Sequence, residues 1–479
     1  MYSVINLLAV LLSIASLTSA APIAPEPLHK LALRKAPLIR DGEDVHMAYR
    51  RHYEQAIKRS QPLRKRISSD NQAIRRSETL EEPGYLARRA GPSSSVSKAA
   101  SATTSVPKAT ITISANGSNA GGFPSNELHL DENLTVVPSE VQVAQAGLGL
   151  NDTGNDVPEF LIGTPPRPFR LQVDTGSADT WVASTRCTTA GCGKHQRLGP
   201  SDSSTFKDLQ TSWGESYGAG SVVGNLCTDT ISFAGFKLEN HTFGTVTSET
   251  VFQSNVYSDG LMGLAFSIES QQGTATPIES LQSTGQVKQA ILGIALGRAA
   301  DGSNDGEIVF GQADSSKFDA STTQTLPVVT SDGTWQVDMK AVTVNGKVVT
   351  ANTQALLDTG TTLIYAPYAE VEAFHQQIPG SINNGENYTI PCTTSAVVTL
   401  TFGNAAFQID ARDLVFLPST SDLTGQCYSS VLAGNAVEND GWLLGDTFLK
   451  NVYMTTNEGA RTIQLSARTD APHSEYYNH

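Results

Sequence analysis

Charge is scarce in this chain. Only 17% of its 479 residues are Asp, Glu, Lys or Arg, against 39% that are hydrophobic. Helix-rich soluble proteins usually carry more charge, so the shortage leans towards β structure with many turns, as do the 40 glycines. Long apolar runs are missing too. None of about 18 residues occurs after the N-terminus, which excludes an internal membrane-spanning helix. Cysteine is rare: Cys187, Cys192, Cys227, Cys392 and Cys427. Five is odd, so at least one is free or paired between molecules. The chain is also too long for one ordinary domain, and two or three units are expected.

The one apolar stretch of any length, Val4 to Leu17, leads into the small residues Thr18-Ser19-Ala20. Residues 1–20 therefore read as a signal peptide cut before Ala21, despite a weakly basic start. The run is short for a membrane anchor, and no stop-transfer flank follows. The secretory route permits disulfides. Five Asn-x-Ser/Thr sequons, at Asn116, Asn133, Asn151, Asn240 and Asn387, fit the same compartment as candidate N-glycosylation sites. The expected location is extracellular, ahead of a vacuole.

Charge is divided unevenly along what remains. Residues 21–110 carry 17 basic and 9 acidic side chains, a net of +8, whereas residues 111–479 carry a net of −22. A basic segment before an acidic body suggests a pro-segment docked by its charge. The alternative, a basic arm for nucleic acid or anionic lipid, fits poorly with a secreted chain full of processing signals. Those signals are Arg50-Arg51, Lys58-Arg59, Arg64-Lys65-Arg66, Arg75-Arg76 and Arg88-Arg89. The last is the best cleavage candidate, because the sequence changes character just after it. The expected organisation is a basic pro-segment over 21–89 and a Ser/Ala/Thr/Gly-rich linker over 90–137 that cannot bury a core.

From about residue 138 the chain becomes short apolar or alternating runs broken by Gly, Asn, Asp and Ser. Thr228 to Phe233, Ile308 to Phe310, Val342 to Val344 and Ala396 to Phe402 read as strands. Helical stretches look short, with candidates at Pro277 to Leu281 and Tyr368 to Gln377.

Two segments carry the chemistry: Val173-Asp174-Thr175-Gly176-Ser177 and Leu357-Asp358-Thr359-Gly360-Thr361. Each follows an apolar run, so each puts an Asp at the end of a buried strand and before a turn. The Gly lets the backbone approach the carboxylate closely, and its N–H can donate to it. The hydroxyl residue after Gly can hold the outer carboxylate oxygen, and the Thr can reach across to the other loop. A lone Asp-Thr-Gly is ordinary turn chemistry. Asp152-Thr153-Gly154 is such a case, flanked by Asn151 and Asn155 with no strand leading in, and it reads as a loop.

Further segments join these two in order: Ile162-Gly163-Thr164-Pro165-Pro166, Trp181-Val182, Tyr217-Gly218-Ala219-Gly220-Ser221, Ser258-Asp259-Gly260-Leu261-Met262-Gly263-Leu264 and Trp442-Leu443-Leu444-Gly445-Asp446. Together they resemble the pepsin-like family of aspartic proteases, the secreted fungal members in particular, over residues 155 to about 467. The resemblance implies an all-β bilobal fold, two β-rich lobes at 138–312 and 313–470 with a cleft between them, and a polar tail at 471–479. It implies an endopeptidase acting in acid, with Asp174 and Asp358 catalytic and Thr175, Gly176, Ser177, Thr359, Gly360 and Thr361 supporting them. No metal and no cofactor is expected. The partners are polypeptide substrates and the chain's own pro-segment, with no nucleic acid, no membrane anchor and a monomeric state.

The resemblance also pairs Cys187 with Cys192 and Cys392 with Cys427, and leaves Cys227 a buried free thiol. It makes Tyr217, Gly218, Ala219 and Gly220 a mobile hairpin over the substrate, with Tyr217 bonded to Trp181. Phe252 would wall the primary specificity pocket. Some fungal relatives carry Asp where this chain has Ala219 and accept Lys before the cut. Ala219 cannot pair with an ammonium, so large apolar or aromatic flanking residues are expected. Lys35, before Ala36-Pro37-Leu38, lies in a stretch similar to the family's pro-segment start. The rival is an inactive binding protein on the same fold, against which both intact loops argue.

Overall fold

The computed structural model describes residues 28–34, 145–146, 148–150, 156–158 and 476–478, and residues 160–470 apart from 194, 218–219, 251–257, 299–305, 386, 421–424, 436 and 438–439. The expected signal peptide and linker, Lys35, the paired basic residues, Asn116, Asn133, Asn151 and the third Asp-Thr-Gly lie outside these residues. So do Gly218, Ala219 and Phe252.

Strands dominate, for the reason the alternating pattern gives. Gly220–Phe233 alternates open and buried positions, placing Val222, Leu226, Ile231 and Phe233 in the interior. Ile308 to Phe310 and Val342 to Val344 fall within Gly306–Phe310 and Gln336–Val344, and the run from Ala396 to Phe402 becomes a strand only from Val398. Both expected helices form, at Pro277–Ser283 and Tyr368–His375. The first starts on a reciprocal cap: the Thr276 hydroxyl accepts from the Glu279 N–H, and the Glu279 carboxylate accepts from the Thr276 N–H.

Each half of the acidic body repeats one strand arrangement. In the first, Leu171–Asp174 runs parallel to Gly260–Gly263, which is antiparallel to Trp181–Ser184, itself parallel to Phe236–Glu249. In the second, Lys347–Leu357 runs parallel to Trp442–Leu444, which is antiparallel to Ile364–Ala366, itself parallel to Val431–Ala433. The fold is all-β and bilobal, of pepsin-like type. The halves are tied by a shared sheet in which Val452–Asn457, from the end of the chain, pairs with Ile291–Ala295 of the first half. The core is continuous through both, and Phe233 packs on Phe310 with ring centroids 5.1 Å apart.

Two strands come from segments whose composition announced none. His29–Arg34 lies within the shared sheet, antiparallel to Gly306–Phe310 on one side and to Gln145–Ala146 on the other. Tyr476–Asn478, in the polar tail, pairs with Ala405–Ile409 at the edge of the second sheet. Cys187 and Cys192 are disulfide-bonded, as are Cys392 and Cys427, and Cys227 is free and buried. Among the described residues no helix is long and apolar enough to cross a membrane.

Candidate active site

Leu171 and Val173 point into the core of the first half, which turns Asp174 at the strand end the other way. Ala355 and Leu357 do the same for Asp358. Both aspartates are buried, at 1% and 3% exposure, yet each accepts hydrogen bonds from its own loop. The Gly176 N–H donates to Asp174 Oδ1 at 2.9 Å and the Ser177 hydroxyl to Oδ2 at 2.7 Å. The Gly360 N–H donates to Asp358 Oδ1 at 2.8 Å, and the Thr361 hydroxyl donates to Oδ2.

The two loops hold each other by reciprocal threonine bonds. The Thr175 N–H donates to Thr359 Oγ1 at 3.1 Å, and the Thr359 N–H donates to Thr175 Oγ1 at 3.0 Å. Each hydroxyl in turn donates to a carbonyl of the opposite strand, Thr175 to Leu357 and Thr359 to Val173, both at 2.9 Å. The glycines locate the carboxylates. A Cβ on Gly176 would lie 2.4 Å from the Asp358 carboxyl carbon, and one on Gly360 would lie 2.1 Å from Asp174 Oδ1. Each aspartate therefore packs on the loop that binds the other, and no larger residue fits at either position.

The later motifs have a steric explanation. A Cβ on Gly263 would meet the Ala178 backbone at 2.3 Å, and one on Gly445 would meet the Thr361 carbonyl oxygen at 2.2 Å. These glycines let a neighbouring strand pass against each active-site loop. Asp259 accepts from the Arg170 N–H and guanidinium and from the Gln196 N–H, which fixes the strand entering Asp174.

Trp181 Nε1 donates to the Tyr217 hydroxyl at 2.9 Å. Tyr217 closes the hairpin of Lys207–Tyr217 and Gly220–Phe233 opposite Gly220, whose φ of +153° suits only glycine. Burial, reinforced by the charges of Glu215, Asp179 and Asp174, pushes the Tyr217 phenol well above the usual tyrosine range, so it stays neutral. Burial also raises the Cys227 thiol, which suits an inert packing residue. Among the described residues no cluster of three His, Cys, Asp or Glu could hold a metal.

Two residues around the site carry no signal of their role in the sequence motifs. Asp179 accepts from the Ser270 hydroxyl and the Gln271 and Gln272 N–H groups, and burial nonetheless raises its carboxyl. Gln172, two residues before Asp174, donates to the Gly360 carbonyl at 3.3 Å. Strand alternation alone would have placed Gln172 on the Asp174 face. Nothing local marks Asp179.

The sequence profile of the eukaryotic aspartyl protease family matches residues 157–468. Rhizopuspepsin of Rhizopus chinensis is 38% identical over 336 residues, covering 68% of this chain and 82% of its own length. Rhizopuspepsin-1 of Rhizopus niveus is 35% identical over 331 residues, 67% of this chain and 82% of its own. The aspartic-type endopeptidase ctsD of Aspergillus fumigatus is 32% identical over 330 residues, 67% of this chain and 68% of its own.

Replacing Thr175 by Val keeps its shape but strips partners from the Leu357 carbonyl and the Thr359 N–H. Each buried unpaired group costs about 1–3 kcal/mol, so chemical denaturation should show a loss of about 2–4 kcal/mol. Thr175→Ser, which keeps the hydroxyl, should recover most of it. An unchanged midpoint for the Val variant would show that the hydroxyl does not join the loops.

Proposed function

Since this chain belongs to the eukaryotic aspartyl protease family, we propose that it is a secreted endopeptidase, made as a zymogen, with Asp174 and Asp358 as its catalytic pair. It is an aspartic-type peptidase acting on polypeptides. The observation that carries the residue assignment is the reciprocal packing of each aspartate on the other's loop.

Two facing carboxylates cannot both ionise comfortably, so the pair retains one proton. The charged member removes a proton from a water held between them as that water attacks the scissile carbonyl. The other gives its proton to the carbonyl oxygen. A gem-diol results, and the amine leaves once protonated. The N–H and hydroxyl donors around each carboxylate hold the two in register without supplying the reaction proton. Tyr217, neutral and fixed by Trp181, covers the substrate on the side away from the aspartates. With no acid at position 219, the pocket before the cut favours large apolar or aromatic side chains.

Latency rests on the first described strand. His29–Arg34 belongs to the proposed pro-segment and lies in the shared sheet, with Lys30 paired to Glu307 at 2.9 Å and to Asp314. Cutting at Arg88-Arg89 would sever the chain but leave this strand bound. Acid then weakens it. Burial raises the Glu307 carboxyl, even against Lys30, and a raised carboxyl adds its stability on the acid side, so acid does not loosen the strand through Glu307. Burial opposes ionisation of Asp314 too, but hydrogen bonds from Lys30 and Ser316 prevail and hold it well below the usual carboxylate range. A depressed carboxyl supports docking above its free value and gives way only as pH falls through the lowered one. Release in acid therefore turns on Asp314 and falls below the ordinary aspartate range. Asn240 and Asn387 remain candidate glycan sites on this secretory route, and Asn240 is exposed.

Three measurements test this. Acid-treated protein should digest a denatured substrate, be blocked by a statine-type inhibitor, and lose about 10²- to 10⁴-fold or more of its rate in Asp174→Asn. Substantial activity in that variant would remove Asp174 from the reaction. Matched peptides with Phe or Lys before the cut should be hydrolysed faster with Phe, and faster Lys cleavage would refute the pocket assignment. Lys30→Met should shed its N-terminal segment at higher pH than the parent. Release that follows dibasic cleavage alone, at any pH, would discard the acid trigger.

A further inference from the structure

We propose that Gln172 is a positioning residue for the aspartate pair, tying the strand that carries Asp174 to the turn that holds Asp358. It rests on the assignment of those two aspartates as catalytic. The frame around the pair is otherwise closely two-fold. Each aspartate takes one N–H from a glycine two residues on and one hydroxyl three residues on. Each threonine bond has a mirror image across the site. The reaction, however, asks one carboxyl to take a proton and the other to give one.

Gln172 breaks that symmetry. It shares the cleft-facing side of Leu171–Asp174 with Asp174, while Leu171 and Val173 occupy the core side. Gln172 is only 9% exposed as a residue, and its side-chain amide donates to the Gly360 carbonyl at 3.3 Å. The equivalent position before Asp358 is Leu356, which has no polar side-chain atom and packs among Leu363, Tyr365 and Leu443. The second turn is thus restrained from the first lobe, with no reciprocal bond to Gly176. The restrained peptide joins Gly360 to Thr361, whose N–H and hydroxyl respectively hold the two oxygens of Asp358. Gln172 acts on Asp358 through this turn and touches neither carboxylate in any contact described.

A structural role for the side chain is slight by comparison. The backbone of Gln172 already pairs with Gln145 on one side and Leu261 on the other, whatever side chain it carries.

Gln172→Met keeps the length and volume and removes the donor. Gln172→Glu keeps the length and can donate only while its introduced carboxyl is protonated. Both are compared, as acid-processed full chains, with the parent and with Asp174→Asn, measuring kcat and KM on one peptide across the acid range. Losing one hydrogen bond should lower kcat about three- to tenfold in Gln172→Met, with KM and thermal midpoint nearly unchanged. Gln172→Glu should approach the parent's kcat at the most acid pH and fall beneath Gln172→Met as its carboxyl ionises. That titration is what a packing role would not produce. Parental kcat in Gln172→Met overturns the proposal, as does a loss confined to KM, a Gln172→Glu profile that merely scales the parent's, or loss of the folded state in both variants. If Asp174→Asn stays active, the assignment of the pair fails. If it is inactive while Gln172→Met is normal, only the tether fails.

Discussion

Two carboxyl groups are held face to face in a place almost closed to water, and most of the molecule serves that arrangement. Like charges so placed repel, and burying them strengthens the repulsion. The chain tolerates this because each group accepts an N–H and a hydroxyl from its own loop. Backbone N–H, hydroxyl and cross-loop threonine bonds fix both turns rigidly. Rigid turns need rigid strands behind them, and those need the buried faces of Leu171, Val173, Ala355 and Leu357. The bilobal fold follows, since one half alone supplies one carboxyl and half of each threonine exchange.

Glycine sets how closely these parts approach. Gly176 and Gly360 yield room to the opposing aspartates, while Gly263 and Gly445 yield room to the strands behind. All four belong to motifs that are legible in sequence, because steric necessity at such contacts leaves a single residue type. The two loops, the main strands and both helices were readable for related reasons: period-two burial, turn residues and apolar spacing. The cysteine pairs became readable only through family resemblance, since the odd count left the connectivity open.

What escaped depends on long-range pairing. His29–Arg34 has the alternation of a strand, but its surroundings are basic, and nothing local says that Gly306–Phe310 is its partner. Asp179 is an unremarkable acid in sequence and becomes a buried acceptor only through a loop about 90 residues later. Gln172 could be assigned to a face but not to a partner, because the carbonyl it reaches lies 188 residues away. Sequence patterns report which side of an element a residue occupies. They do not report which distant backbone group stands opposite.

The interior's other titratable groups set the pH range over which this arrangement can stand. Burial raises Glu249 to about 8 despite the nearby Arg197, and burial together with Glu279 raises Glu458 to about 8. Groups raised in this way add stability that is complete below the ordinary glutamate value and disappears as pH climbs through about 8. Burial lowers His241 to about 4, and lowers His375 to about 4 against the pull of the Val371 carbonyl. Their contribution has the opposite slope: complete above the ordinary histidine value, and lost as pH falls through about 4. The glutamates thus favour the acid side and the histidines limit how far it extends. Keeping the loops intact on the acid side needs both slopes. The fold supplies them from side chains that touch neither aspartate in any contact described.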